Sequence, residues 1–454
     1  MTTIVITGRQ HASLKAHLFP GDDLEAAAVV SCRVHTRRGK TRLLTRHVDL
    51  VPYERCRRLP WLLEWESAWL HPILQRAEDE GLVLVKFHSH PGAWLDFSEQ
   101  DDRSDRDLFP GFHHYLDRGP HGSVVVVPSG RMTARTVDAQ GEFADAVVQV
   151  VGDSLEWHGE ASAAEVRREA DRFVRAFGEG TYRRMRTLRF GIVGCSGTGS
   201  LIIEQALRCM IGGLVLVEPK AVRLANLNRV PNSFPDDLGR PKTEIFDELA
   251  ARLGFGTEVE RFDCDLRDPD AVRALSSCDV LFGCMDSIDG RYLLNRIATF
   301  YMLPYFDLGA NIDVNADGEV MEVSGAIHYL QPDGSSLLSR RVFSLEDVAA
   351  AMLLRDDPIE YAKQRAAGYV HGPVVETRPA VLPLNMRVAS DAFLEFLSRI
   401  HAFRQDGNAG FARHGFSLCS DVDIRSADGA PCEVLMRHCG RGDVEPLLDL
   451  PRYG

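Results

Sequence analysis

Two rhythms of apolar and polar residues divide the chain. In the first, short continuous apolar runs end at turn residues. "LVLVKFHSH" (residues 82–90) and "GSVVVVPSG" (122–130) are runs of this kind and predict buried strands, as does "RLLTRHVDLV" (42–51). Helical spacing is predicted over residues 13–31, through "DDLEAAAVVS", and again over "LPWLLEWESAWLHPILQRAEDEG", which stops at Gly81. Together these elements form a compact α/β unit of about 150 residues, a typical domain size.

The second rhythm alternates strand and helix. A charged helical stretch, "EVRREADRFVRAFGEGTYRRMR", leads into strand "LRFGIVG", helix "SLIIEQALRCMIGG" and strand "LVLVE". "DVLFGCMD" and "LPYFDLGA" are further strands, and "RVASDAFLEFLSRIH" is the last helix. Such alternation predicts a parallel sheet covered by helices. Beyond residue 402 the text is loop-rich. The expected division is 1–154, 155–402 and a tail, 403–454. No internal repeat is visible.

Charge and cysteine usage narrow the function. A net charge of −13 argues against a nucleic-acid partner, which needs clustered Lys and Arg. No apolar stretch reaches the roughly 20 residues of a membrane span, and the start lacks a secretory h-region. The ten cysteines contain no CxxC pair, so the reading is free thiols in a reducing cytoplasm and no cysteine-based zinc site.

Candidate chemistry begins at "VKFHSHPGAWLDFSEQDD" (85–102). In a strand, residues i and i+2 face the same side, so His88 and His90 point together, and Asp101 follows a turn opened by Pro91 and Gly92. Two imidazoles and a carboxylate, with a fourth position for water, form the donor set of a catalytic zinc site. HSHP, six residues, Ser98, two residues and Asp101 resemble the JAMM signature H-x-H-P-x6-S-x-x-D of the JAB/MPN metalloprotease family, over roughly residues 5–150. The resemblance implies a cytidine-deaminase-like α/β sheet and zinc on His88, His90 and Asp101. It also implies a hydrogen bond from Ser98 to the oxyanion and an upstream glutamate as general base. Glu25, placed in the early helix, is the first choice; Glu54, Glu64 and Glu66 compete. The family cleaves bonds behind the C-terminus of ubiquitin or a ubiquitin-like protein.

A second constellation opens at "RFGIVGCSGTGS", where Gly194, Gly197 and Gly199 join a strand to a helix in a phosphate-binding turn. Glu218 ends the next strand, where an acid binds ribose hydroxyls. Asn226, Arg229 and Lys242 follow; the two cations, Arg229 and Lys242, exceed the needs of hydride transfer but are useful on transferring phosphates. Asp286 ends a later strand. The glycine loop, N-L-N-R, G-x-P-K and C-x-D segments resemble the ThiF family, which adenylates sulfur-carrier proteins and forms the adenylation domains of ubiquitin-activating enzymes. The resemblance implies a Rossmann-like doubly wound fold. It places Glu218 on ribose, Asn226, Arg229 and Lys242 on the phosphates of ATP, and Mg²⁺ on Asp286. Arg175 would reach into a partner protomer's ATP site, making a homodimer. "HGPVVETRPAVLPLNMRVASDAFLEFL" resembles the family's closing strand and helix. Three departures stand out: Ser196 replaces a loop glycine, Lys220 replaces a second acid, and "PDGSSLLSR" occupies the region of the family's zinc-binding cysteines.

The two resemblances imply one chain that processes and then activates the tail of a small β-grasp protein. The first reading is a bacterial ubiquitin-like modification pathway with a conjugating-enzyme-like partner; some operons of this kind act in antiphage defence. The alternative is activation of a sulfur carrier for cysteine, thiamine or molybdopterin synthesis, and a third reading is a scaffold with two inactive sites. A thioester would need an accessible thiol. Cys195 and Cys209 are expected to be packed, and Cys264, Cys278 and Cys284 to lie at strand ends. Cys419, Cys432 and Cys439 lie in the loop-rich tail, where any one could be mobile and reactive.

Overall fold

A computed structural model describes residues 2–159, 165–370 and 379–453. Its N-terminal part is built on an eight-stranded mixed sheet. In chain order this part contains β1 (Thr2–Thr7), α1 (Gly8–Leu18), β2 (Ala27–Arg37), β3 (Lys40–Leu50), β4 (Cys56–Leu59), β5 (Leu62–Trp65), α2 (His71–Glu80), β6 (Val83–Ser89), α3 (Glu99–Leu116), β7 (His121–Val126), β8 (Met132–Val137), β9 (Phe143–Val151) and β10 (Leu155–His158). The order is β1-β3-β2-β6-β7-β8-β9-β10, and β9 also pairs with β1, so the sheet curls round on itself. One face packs Ile4, Ile6, Val85, Phe87, Val124 and Val148 against Leu14 and Leu18 of α1. The other packs Leu82 and Leu84 against α2 and against Phe109, Phe112 and Leu116 of α3. With both faces covered, β6 is buried throughout, which explains its unbroken apolar run.

Two helical expectations fail here. The early helix is Gly8–Leu18, capped by Thr7 and Gln10 and finished before Pro20; the alanine-rich run that follows is β2. Ala26–Val30 are completely buried between two strands, and this packing overrides the helix preference of alanine. The first half of residues 59–81 is a ribbon, β4 paired with β5, that turns at Pro60; only His71–Glu80 is helical. Proline holds the residue before it extended, which favours a turn over a continuous helix at this point.

The C-terminal part contains α4 (Asp171–Thr187), β11 (Arg189–Val193), α5 (Gly197–Arg208), β12 (Gly213–Val217), α6 (Lys242–Leu253), β13 (Glu258–Phe262), α7 (Pro269–Leu275), β14 (Val280–Gly283), α8 (Ile288–Phe300), β15 (Tyr305–Val314), β16 (Val320–Leu330), α9 (Leu345–Asp356), α10 (Pro358–Ala366), α11 (Leu382–Ile400), β17 (Arg413–Ser417) and β18 (Val422–Ser426). The sheet order is β13-β12-β11-β14-β15-β16-β17-β18. The first five strands are parallel, as the alternation predicts, and the last three run antiparallel. The tail is therefore less irregular than expected: β17 and β18 extend this sheet. The expected closing strand around residues 371–378 lies outside the described residues.

The two parts share an extensive polar junction. Tyr329 Oη donates to the Gly152 carbonyl at 2.6 Å, and Arg399 Nη1 to the Asp153 carbonyl at 2.7 Å. Arg42 Nη1 donates to the Tyr301 carbonyl at 3.1 Å. The tail closes the seam: Asp443 accepts from Tyr301 at 2.8 Å and pairs with His35 at 2.9 Å, while Arg46 reaches the Cys439 carbonyl. Val5, Leu44, Val151 and Leu155 of the first sheet belong to the apolar core of the second part. No helix among the described residues is long and apolar enough to cross a membrane.

Candidate active sites

The first site forms where β6 ends against the start of α3. Strand alternation turns His88 and His90 the same way. Ser98 and Asp101 cap α3 reciprocally: Ser98 Oγ accepts from the Asp101 amide at 3.1 Å, while Asp101 Oδ2 accepts from both the Ser98 amide and hydroxyl at 2.7 Å. The cap leaves the other carboxylate oxygen, Oδ1, facing His88. His88 Nε2 lies 2.9 Å from Asp101 Oδ1, and His90 Nε2 lies 3.3 Å from Oδ2. One ligand atom from each of the three residues falls within 4.8 Å of the others. All three side chains are buried.

Two features show that this donor set fits a metal. His88 Nδ1 is buried without a hydrogen-bond partner, and Nε2 meets only the Asp101 carboxylate. His90 Nδ1 donates to the Trp94 carbonyl at 2.8 Å, fixing the tautomer that leaves Nε2 free to ligate. Burial lowers the His88 pKa. For His90, burial is outweighed by the Asp101 carboxylate, and its pKa rises. Burial pushes the Asp101 carboxyl up, but His88, His90 and Ser98 together hold it well below the usual carboxylate range.

Glu25 is not on a helix. It stands in the loop immediately before β2, and the neighbouring Ala26 is stitched to Ser89 between the two histidines, its amide 2.8 Å from Ser89 Oγ. Arg58 of the ribbon holds the loop, donating from Nε to the Glu25 carbonyl at 2.7 Å. Burial raises the Glu25 carboxyl to about 7, with Asp101 adding to the rise and His90 opposing it. Of the competing glutamates, Glu54 and Glu66 flank short turns and Glu64 pairs with Arg57 on the exposed ribbon. The parts played by Arg58 and the Trp94 carbonyl left no sequence signal, because each contact depends on the folded path of a loop.

The second site forms at the carboxyl ends of β11, β12 and β14. Gly194 has φ +89°, and a Cβ on Gly199 would stand 1.7 Å from the Gly194 carbonyl oxygen, so the turn from β11 into α5 is this tight only with glycine at both positions. Ser196 is the residue before α5 but makes no side-chain cap. Glu218 is buried; its carboxylate accepts from the Cys195 amide at 3.1 Å and the Lys220 amide at 3.0 Å. Lys242 opens α6, buried, with Nζ 3.5 Å from Glu218. Burial lowers the Lys242 pKa, with Glu218 opposing. Asn226 is buried, and its Oδ1 accepts the Arg223 amide at 3.0 Å. Arg229 reaches the Ala225 carbonyl. Asp286 is exposed just beyond β14. The turn that carries it is braced by a network invisible in the sequence: Arg291 of α8 clasps buried Asp307 at 2.9 and 2.5 Å, and Tyr305 donates to the same carboxylate at 2.8 Å. Arg175 lies on the exposed side of α4, 3.1 Å from Asp171.

The tail cysteines divide between buried and exposed. Cys432 and Cys439 of the tail are buried, and burial pushes the Cys439 thiol up; Cys419, between β17 and β18, is exposed. Beside the glycine turn, burial raises the Cys195 thiol well above its ordinary value and Cys284 to about 12.

Comparison with known proteins bears on both sites. Residues 9–138 match the prokaryotic homologs of the JAB domain, and residues 169–367 match the ThiF family. The chain joins a JAB domain to a ThiF domain. The JAB domain supplies the His88–His90–Asp101 cluster, and the Rossmann-like ThiF domain the glycine turn. Among relatives, the ubiquitin-like modifier-activating enzyme 5 of Aedes aegypti is 27% identical over 227 residues, 46% of this chain and 54% of its own. The SAMP-activating enzyme E1 of Haloferax volcanii is 26% identical over 151 residues, 33% of this chain and 52% of its own. The JAB–ThiF chain thus spans about half the length of these curated relatives. Among solved structures, E. coli MccB with ATP aligns over 61% of this chain and 75% of its own, at 14% identity and a TM-score of 0.45.

Proposed function

We propose that this chain processes and activates the C-terminus of a ubiquitin-like protein: the JAB site cleaves the peptide or isopeptide bond after it, and the ThiF site adenylates the carboxylate. The observation that supports this reading most strongly is the buried His88–His90–Asp101 cluster with Glu25 beside it, in one chain with a nucleotide-type glycine turn. Zinc, held by His88, His90 and Asp101, would supply Lewis acidity and a water of lowered pKa. Glu25, its carboxyl raised by burial, is placed to take a proton from the attacking water and return it to the leaving amine as the C–N bond breaks. The Ser98 hydroxyl shifts from Asp101 to the oxyanion, while the Ser98 amide keeps Asp101 in place.

At the second site the substrate carboxylate attacks the α-phosphorus of ATP, and pyrophosphate leaves. Glu218 binds the ribose. Lys242 moves from Glu218 to the phosphates, joined by Arg229 and Asn226, and Asp286 would hold Mg²⁺. Arg175 of a second protomer completes the site in a cytoplasmic homodimer. A conjugating-enzyme-like partner then receives the activated tail. The raised thiols of Cys195 and Cys284 disfavour a thioester at these cysteines and favour a second reading, in which a sulfide-level donor attacks the adenylate, AMP leaves and the thiocarboxylate of a sulfur carrier forms.

The test uses a precursor of a β-grasp protein carrying residues beyond its terminal glycine, followed by mass spectrometry. The reading expects zinc-dependent loss of the extension and, with ATP, a mass gain of AMP on the trimmed form. An intact precursor with metal-replete protein contradicts the JAB half; a trimmed form that never gains AMP contradicts the ThiF half.

A further inference from the structure

One turn below the proposed ligands, the same strand and helix meet a second time. The α3-facing side of β6 carries His88, Lys86 and Leu84, and α3 presents Asp101, Asp105 and Phe109 on one face at four-residue intervals. The contacts form a ladder. His88 meets Asp101 at 2.9 Å, Lys86 meets Asp105, and Leu84 packs in one cluster with Phe109. Across the sheet Lys86 is level with Ser123 of β7, and Ser123 with Arg135 of β8. Ser123 is fully buried and its hydroxyl has no hydrogen-bond partner, so a small side chain separates the two cations. Asp105 bridges them: Arg135 grips one carboxylate oxygen from Nε at 3.1 Å and Nη2 at 2.7 Å, and Lys86 takes the other. Arg135 also donates to Asp102 at 2.5 Å. Its guanidinium lies 3.8 Å from the ring centroid of Phe97, in the loop between His90 and Ser98, and 3.7 Å from that of Phe143.

The geometry points to Lys86, Asp105 and Arg135 as positioning residues that set the height of α3 over the sheet and so bring the Asp101 carboxylate to the two imidazoles. The inference rests on the JAB site being a metal site. An ion cluster this deeply buried adds little stability over an apolar replacement of the same volume, whereas its directional contacts fix one register of helix on sheet. Apolar contacts alone allow α3 to slide, and a ligand displaced from its partners loses affinity.

Cobalt binding, read by its visible absorption and by chelator competition, tests this on the full chain. The triple variant K86M/D105L/R135M keeps the volume and removes all three charges. It is expected to hold cobalt about 10- to 100-fold more weakly, with an altered absorption band. Arg135→Lys keeps the charge but not the two-pronged grip, and is expected to alter the band with a smaller loss. Wild-type affinity and absorption in either folded variant overturn the inference. Failure of the unaltered chain to bind cobalt overturns the metal reading itself, and this inference with it.

Discussion

At the scale of single residues, burial decides protonation. Glu25 loses solvation, and its carboxyl rises to about 7. The rate of a reaction that needs it as a base should rise with pH along an acid limb centred below that value, because a zinc ion beside it favours the carboxylate. Its charged form opposes folding, so the contribution is fully favourable below the ordinary value near 4.5 and is lost as pH rises through 7. Glu25→Gln should cut peptidase turnover about 10²- to 10⁴-fold, abolish the acid limb of the pH profile and leave zinc content unchanged. A variant with wild-type turnover removes Glu25 from the chemistry. Two histidines act in the opposite direction. Burial lowers His121 and His328 to about 3, so each stays neutral in the fold while the unfolded chain takes up a proton below about 6.5. Their contribution is present above 6.5 and lost as pH falls, about 2 kcal/mol each by pH 5. Urea midpoints should drop accordingly between pH 7 and pH 5. His121→Asn, whose carboxamide can keep the Leu84 amide contact, should reduce the drop; an unchanged difference contradicts the assignment.

At the scale of elements, the ribbon β4–β5 holds the proposed base. Arg58 ties the Glu25 and Leu24 carbonyls and Asp22 together and stacks 4.3 Å from the Tyr53 ring centroid. Arg58→Ala should lower peptidase turnover about 10-fold or more by letting that loop drift, with metal affinity preserved because the three ligands lie on other segments. Unchanged turnover contradicts a holding role. Elements were legible where burial on both faces wrote a continuous apolar run, as in β6, β7 and β11 to β12. The His88–His90–Asp101 cluster was legible because strand alternation and a helix cap bring it together with Ser98 within fourteen positions of sequence. β17 and β18 were not legible: Arg413, His414 and Gly415 leave β17 with Phe416 as its one large apolar residue, and the alternation of β18, Val422-Asp423-Ile424-Arg425, is short and exposed. The alanine run of β2 misled because propensity was read without its neighbours. The Lys86–Asp105–Arg135 cluster was hidden by separations of 19 and 30 residues.

At the scale of the whole molecule, the tail and the shared core bind the JAB and ThiF domains into one framework through Tyr329, Arg399, Arg42 and Asp443. A tail cut at one site must then reach the other through release or through the mobility of the carrier, since the framework itself has little slack. On the proposed reading trimming precedes activation, because only the trimmed tail ends at the glycine that ATP activates. ATP–pyrophosphate exchange with precursor and trimmed forms of a β-grasp carrier measures that dependence directly. The account predicts that the unaltered chain supports exchange with both forms, His88→Ala with the trimmed form alone, and Asp286→Ala with neither. Exchange by His88→Ala on the untrimmed precursor, or none by the unaltered, zinc-loaded chain on any trimmed carrier, would contradict it.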